Sequence, residues 1–495
     1  MKIAALVHNG VLNDARVIKE AISLRRAGHE ITLHGISPTD LPQHHILPTS
    51  DIEVFLEPRA VPAGSVLERL LYGGLPRVGR AGQWLVAAIA AAFFWLLWPV
   101  LVGRIAILSG GDGWPVTTGL VMIALVLGLV SLRAGQKWLT RAGTHAAARL
   151  RQGRDNVRAV LEARRPALIG RVYRDITDAL LASLARCPAP EAIHLHDHIA
   201  LSIADRLKAR YGVPLVWDAH EIYQAMAGGN PQRARAHARI IAARHIHLDF
   251  FITINASIAR FYQEHYPRMP AARVLMNATD PAPLPRYDGR LHTAAGLPAA
   301  QKILLFQGVL GVDRGLPQLI AAAAAFPPEW SLVIMGWGDL EAPLRVLAAH
   351  HLRPGAPPAV VFLPGVAQVE LQQWTAGATL GAIPYENSNL NHLYCTPNKL
   401  WEYPSAGVPV LCTDLVEMTA MIECHGFGFL LPRDFDAHDI AALVGSLDDA
   451  ALAQARDNCA RFLAANNWST WEHNLLSIYT ELERPRPAVA RLSRQ

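Results

Sequence analysis

A chain of 495 residues is about twice what one hydrophobic core supports, so two domains are expected. Hydrophobic residues make up 51% and charged residues 18%, which excludes a disordered protein and points to lipid contact along part of the length. The net charge of +5 is local: residues 133–174 carry 11 Lys/Arg against Asp155 and Glu162, a balance of +9 that leaves −4 elsewhere, which argues against a nucleic-acid binder.

The chain opens on a strand, "KIAALVHN", so no cleavable signal peptide is expected before the fold. "GVLNDARVIKEAISLRRAGHE" then predicts a helix with Val17, Ala21, Leu24 and Ala27 on one face and Gly28 as its C-terminal cap. In the loop before it, Gly10 permits close backbone approach, and Asn13 or Asp14 can cap the helix start. "ITLHGI" and "IEVFLEP" are the next strands.

Two apolar runs follow, Trp84 to Val102 and Val116 to Leu132, joined by "SGGDGWP". Each is near the ~20 residues that cross a bilayer core, so residues 84–132 are expected to form a membrane hairpin. A pair of buried core helices, or a hairpin dipping into one leaflet, are the alternatives. Arg77, Arg80, Arg133, Lys137 and Arg141 flank it, so the positive-inside rule puts both flanks on the cytoplasmic side of the cytoplasmic membrane. The basic stretch 133–180 intersperses Leu150, Val157, Val160, Leu161 and Leu168 with arginines, as a helix lying on anionic lipid would. Aromatic residues do not interleave with those arginines, so no nucleic-acid partner is expected.

Strand and helix alternate again in "AIHLHDH", "IALSIADRLKARYG", "VPLVWDAHE" and "FFITIN", which implies a parallel sheet covered on both faces. "HLHDH" places His194, His196 and His198 on one face of a strand end. No partner set is spaced for a metal, and a cleft histidine touching a sugar is the expectation. "WDAHE" gathers Asp218, His220 and Glu221 at the next strand end. The linker "TDPAPLPRYDGR" separates a first domain at 1–285 from a second at 298–465. The second holds "QGVLGVDRGLPQLI", whose loop amides and Arg314 suit an anion, and "GWGD" at 336–339. Last comes "CTPNKLWEYPSAGVPVLCTDLVE", with Glu402 alone in an apolar stretch. Cys187, Cys395, Cys412, Cys424 and Cys459 are scattered and odd in number, as reduced thiols are.

These pieces, in this order, resemble the GT-B-fold glycosyltransferases, most closely glycosyltransferase family 4. The resemblance rests on "NDARVIKEAISLRRAGHEITL", "HLHDH", "WDAHE", "MNATD", "QGVLGVDRGL", "GWGD", "TPNKLWEYPSAGVPVLCTDLVEM" and "GFGFLL", and leaves out the hairpin and its surroundings. It implies an α/β protein of two Rossmann-like, doubly wound domains facing a cleft, with a C-terminal helix at 466–483 crossing back to the first domain. It further implies transfer of a sugar from a nucleotide diphosphate-sugar to a glycan or lipid-linked acceptor, with retention and with no metal or other cofactor required.

By the same resemblance Glu402 grips ribose hydroxyls, Arg314 faces the diphosphate, and Thr396, Asn398 and Lys399 form the loop at the phosphate. Gly308, Gly336, Gly338 and Tyr394 belong to the donor side. His196 stands near the transferred sugar, and Gly10, Asn13, Asp14, Asp197, His220 and Glu221 line the acceptor side. Two departures stand out. Tyr394 occupies the place of a glutamate that normally touches the donor sugar, and Val309 and Leu310 stand where a second basic residue is common. A catalytically silent subunit of a polysaccharide complex, or a sugar-nucleotide 2-epimerase, are the competing readings.

Overall fold

The computed structural model describes residues 1–12, 14–39, 41–47, 50–58, 173–226, 230–350 and 357–484. The expected hairpin at 84–132, the basic stretch up to residue 172, and Asn13 lie outside them. Among the described residues, no helix is long and apolar enough to cross a membrane. Among the described residues, 1–37, 41–57 and 177–484 belong to one compact unit that carries both sheets.

The first sheet holds β1 (Lys2–Leu6), β2 (Glu30–Ile36), β3 (Gln43–Ile46), β4 (Glu53–Glu57), β5 (Ala192–His196), β6 (Leu215–Ala219), β7 (Phe250–Thr253) and β8 (Ala272–Val274). Their order is β3-β4-β2-β1-β5-β6-β7-β8. It is not wholly parallel as expected: β3 runs antiparallel to β4 at the edge. The connection from Ile46 to Glu53 is too short for the crossover of a dozen or more residues that parallel neighbours need. The second sheet, β11-β10-β9-β12-β13-β14, is parallel throughout. Its strands are β9 (Lys302–Val309), β10 (Trp330–Trp337), β11 (Val360–Pro364), β12 (Leu380–Ile383), β13 (Val410–Thr413) and β14 (Gly428–Leu431).

Strand order reverses direction between β1 and β5 in the first sheet and between β9 and β12 in the second. Ligands of doubly wound sheets bind at the carboxyl ends of strands beside such reversals.

The first helix, Ala15–Arg26, starts because the Asp14 side chain accepts the Val17 amide at 3.2 Å. It stops where Gly28 takes φ +93°. The stretch "IALSIADRLKARYG" is not one helix: Asp197–Leu201 and Ala204–Tyr211 are separate. Asp197 turns the chain with φ +64°, so His198 leaves the strand face that His194 and His196 share and enters the short helix.

The helix Trp468–Glu483 packs on the first sheet, burying Trp468, Leu475, Ile478 and Tyr479 among core residues of β1, β2 and the first helix. Trp468 Nε1 donates to Ser23 Oγ at 2.8 Å, and Asn474 donates to the Val274 carbonyl. The two sheet regions also meet through polar pairs. Glu417 accepts the Ser257 amide at 2.8 Å, and Asn255 donates to the Tyr394 carbonyl at 2.7 Å.

Candidate active site

On the second sheet, β9 ends in Gln307, Gly308 and Val309. Gly308 takes φ +112°, and a Cβ there would lie 3.4 Å from Lys399 Nζ. The facing strand end needs glycine as well, because a Cβ on Gly336 would fall 1.8 Å from the Gly308 carbonyl oxygen. The two strand ends therefore close on each other, with Gly308 beside the lysine. Gly338, at φ +156°, makes a similar approach to the Leu310 carbonyl.

Lys399 opens the helix Lys399–Ser405 and is nearly buried, at 8% exposure. Its Nζ donates to the Tyr385 hydroxyl at 3.1 Å, and the Arg314 guanidinium donates to that same hydroxyl while stacking on the ring at 4.8 Å. Two cations thus converge on one phenol just past β12. The helix is under two turns long, so positive charge here comes from these side chains more than from a helix dipole.

Glu402 lies on the same helix. Its Oε2 accepts Gln307 Nε2 at 3.1 Å, and Gln307 Oε1 accepts the Thr375 hydroxyl at 2.8 Å. The buried glutamine is thereby oriented as a donor to the carboxylate. Asn398 faces the first domain, accepting Asn277 Nδ2 at 2.7 Å.

Two donor-side expectations are placed differently. Thr396 is buried at 4% exposure, with its hydroxyl beside Asn255, so it supports the loop. Tyr394 packs its ring, with Leu390, against the apolar core of the first domain.

On the first sheet, polar groups gather at the ends of β1, β5 and β6, three adjacent strands. His8 Nδ1 lies 3.3 Å from Asp197 Oδ2, and its side chain is 33% exposed. Asp197 Oδ1 accepts the Tyr223 hydroxyl at 2.6 Å and lies 3.4 Å from His220 Nδ1. His220 Nε2 is 2.8 Å from Asp218. Asp218 is fully buried and receives Arg16 on both oxygens, each at 2.8 Å. Burial opposes charge on Asp218, yet Arg16 and His220 hold its carboxyl well below the usual range.

Glu20 lies 2.9 Å from Arg16. Burial and the Asp218 charge push its carboxyl well above the usual range.

His196, expected to face the sugar, is only 1% exposed. It stacks on His194 at 4.4 Å with Nδ1 3.4 Å from Asp218. The more exposed histidines of this cluster are His8 and His220, with side chains 33% and 20% exposed. Gly10 is exposed, and a Cβ there would meet the Ile36 carbonyl only at ordinary contact distance, so close approach does not demand glycine. Asp14 is a cap, tied by its other oxygen to Asn9.

Spacing along the chain shows no metal-ligand set, but the fold brings Glu20, His194, His196 and Asp218 within 4.8 Å of one another. Arg16 already donates to both Asp218 oxygens and pairs with Glu20. A guanidinium thus fills the charge-balancing role an ion would have, and a second cation beside it would be repelled.

Residues 301–449 match the family model described as glycosyl transferases group 1. A D-inositol 3-phosphate glycosyltransferase from a Nocardioides species is 25% identical over 328 residues, 60% of this chain and 68% of that protein. The sucrose-phosphate synthase structure from Thermosynechococcus elongatus superposes with a TM-score of 0.61 at 14% identity, over 97% of this chain and 98% of that one. An E. coli "trehalose-6-phosphate" structure bound with UDP-2-fluoro glucose gives 0.59 at 11% identity, over 98% and 100%. The chain is a glycosyltransferase of the GT-B fold.

In this glycosyltransferase the second domain gathers Gly308, Arg314, Gly336, Lys399 and Glu402 around the end of β9. Gln307 and Arg16 lie within stretches that carry the resemblance but were not singled out there as site residues, and Tyr385 and His8 lie outside those stretches. The signal available for His8 was its place directly after β1, at the strand reversal.

His220 carries a pH signature. Burial lowers its affinity for a proton, but Asp218 and Asp197 outweigh burial and raise its pKa to about 9. Its stabilising charge is complete below the unfolded value near 6.5 and disappears as pH rises through about 9. At about 1.4 kcal/mol per unit the ceiling is roughly 3 kcal/mol, reduced because water reaches a fifth of the side chain. Urea unfolding of wild type and His220→Asn should therefore differ most at pH 6 and converge by about pH 10. A stability gap unchanged across that range would show the histidine to be uncharged.

Proposed function

We propose that this glycosyltransferase is attached to the cytoplasmic membrane and moves a sugar, with retention of configuration, to a glycan or lipid-linked acceptor of envelope or exopolysaccharide synthesis. The observation that carries the donor chemistry is the convergence of Lys399 and Arg314 on the Tyr385 hydroxyl, beside Glu402, at the strand reversal of the second sheet. Breaking the anomeric C–O bond puts positive charge on the sugar and negative charge on the departing diphosphate. Fixed cations in a closed cleft stabilise that leaving group at no reorganisation cost. Glu402, with Oε2 held by Gln307, offers Oε1 to ribose hydroxyls.

For a retaining reaction, the disposition of the carboxylates favours front-face attack over a covalent glycosyl-enzyme intermediate. Asp218 and Glu20 are buried against Arg16, so they are not poised as nucleophile and acid. Front-face attack, with a leaving-group phosphate oxygen taking the acceptor proton, needs neither of them. Membrane attachment is supported by the apolar runs at 84–102 and 116–132 and by the arginine-rich stretch that follows. The D-inositol 3-phosphate relative supports an acceptor built from a polyol.

Screening nucleotide sugars for thermal stabilisation, then for hydrolysis and transfer, tests the reading. A donor present at about a hundred times its Kd should stabilise by roughly 3 kcal/mol, and Glu402→Ala should abolish turnover of that donor. A wild-type protein that neither binds nor turns over any nucleotide sugar would sink it. Protease treatment of inverted vesicles should digest both α/β domains, and their protection would overturn the topology.

A further inference from the structure

The resemblance places a carboxylate at the position of Tyr394, where this chain has a ring packed into the first domain's core. A different carboxylate stands across the cleft. Glu221 follows β6, and its main-chain carbonyl accepts the Tyr262 hydroxyl at 2.7 Å. Its Oε2 accepts Asn391 Nδ2 at 2.9 Å, and Asn391 Oδ1 accepts the Ile222 amide at 2.8 Å. Asn391 belongs to the second domain, on the short helix Leu390–Leu393 between Tyr385 and Lys399. One asparagine, 8% exposed, therefore fixes an acid of the first domain against the segment that carries the cation pair.

The electrostatics agree with this placement. The Cys395 thiol, next to Tyr394, is pushed up to about 12 by burial and by Glu221, while Arg314 and Lys399 pull the other way. The acid and both cations thus act on one thiol.

We propose that Glu221 binds hydroxyls of the transferred sugar, supplying from the acceptor-side domain the carboxylate that Tyr394 does not. The inference rests on the nucleotide-sugar reading above. With the diphosphate on Lys399 and Arg314, the sugar extends beyond the phosphates toward the first domain, where Glu221 is partly open and anchored through one oxygen. Burial and the Asp197 charge raise its carboxyl to about 7. Hydroxyl donors from a sugar would favour the ionised form and offset that penalty. Because the acid and its asparagine come from different domains, sugar recognition is complete only when both sides of the cleft are engaged.

The test separates sugar from diphosphate. Glu221→Gln keeps an oxygen for Asn391 and removes the charge. Calorimetry should give a nucleoside diphosphate Kd within about twofold of wild type, while kcat/KM for the matched nucleotide sugar falls about a hundredfold and discrimination between sugar epimers narrows. The acid limb of the wild-type pH profile should also vanish. An unchanged kcat/KM in Glu221→Gln, or equal loss of diphosphate binding and turnover, overturns the proposal. So does full loss in Asn391→Ala with none in Glu221→Gln, which would make the pair only a clasp between domains. A wild-type protein that binds no nucleoside diphosphate defeats the underlying reading as well, and that result differs from all the others.

Discussion

Lys399→Ala is expected to lower kcat/KM for sugar transfer about a thousandfold. The ammonium is nearly buried, bonded to Tyr385, and lies over the Phe306 ring at 5.3 Å. In a cleft with little water, charge developing on the diphosphate finds no substitute for it. Arg314 remains on the Tyr385 hydroxyl, so the variant should fold and retain weak diphosphate affinity. Steady-state kinetics beside calorimetry separate these effects. Near-normal kcat/KM with intact donor binding would place the diphosphate elsewhere. Lys399→Arg is not conservative here: a larger planar cation would crowd the space beside Gly308, where even a Cβ would lie 3.4 Å from Nζ.

The second large effect concerns stability. Arg16→Leu should destabilise the protein by about 3–5 kcal/mol, because it strips from the buried, ionised Asp218 the guanidinium that donates to both its oxygens. The Arg16 guanidinium also donates to the Leu275 carbonyl at 2.8 Å, so the substitution orphans a backbone acceptor too. The pH dependence has a definite sign. Asp218 titrates below its ordinary value when folded, so its contribution is present above about pH 4 and is lost as pH falls. Denaturant titrations should therefore show the Arg16→Leu penalty at pH 7 and a smaller one in acid. Pairing it with Asp218→Asn should restore part of the loss. A penalty under about 1 kcal/mol at pH 7 would mean that Arg16 is not balancing buried charge.

The alternation of strands and helices was legible because each obeys a local period, and strand ends mark where a doubly wound sheet holds its ligand. Lys399 and Glu402 drew notice in the sequence for a related reason: a cation and an acid in an otherwise apolar stretch need a local explanation, and the fold places both on one helix facing β9. What stayed hidden depends on partners far apart in the chain. Arg16 and Glu20, four residues apart, look like a solvated pair on a helix. They are buried because Asp218 arrives from about 200 residues away. Tyr385 and Gln307 looked like ordinary strand-end residues, since their roles come from what reaches them. That His196 is buried was not legible, because alternation alone does not reveal that His194 and its neighbours pack around it. The antiparallel β3 was missed because "QHHI" has no apolar run to announce it.

The helix Trp468–Glu483 has a consequence for how the protein is made. Strands β1 to β8 have all been synthesised by residue 274, yet the core above β1 and β2 still lacks Trp468, Leu475, Ile478 and Tyr479. At roughly 5–20 residues per second, the remaining roughly 200 residues keep that apolar face open for on the order of ten to forty seconds. Until then His194 also lacks the Tyr479 hydroxyl, 2.9 Å away in the finished fold. The first domain is thus the earliest to be synthesised and the last to be sealed, which makes the nascent chain, more than the mature protein, the form in need of a chaperone.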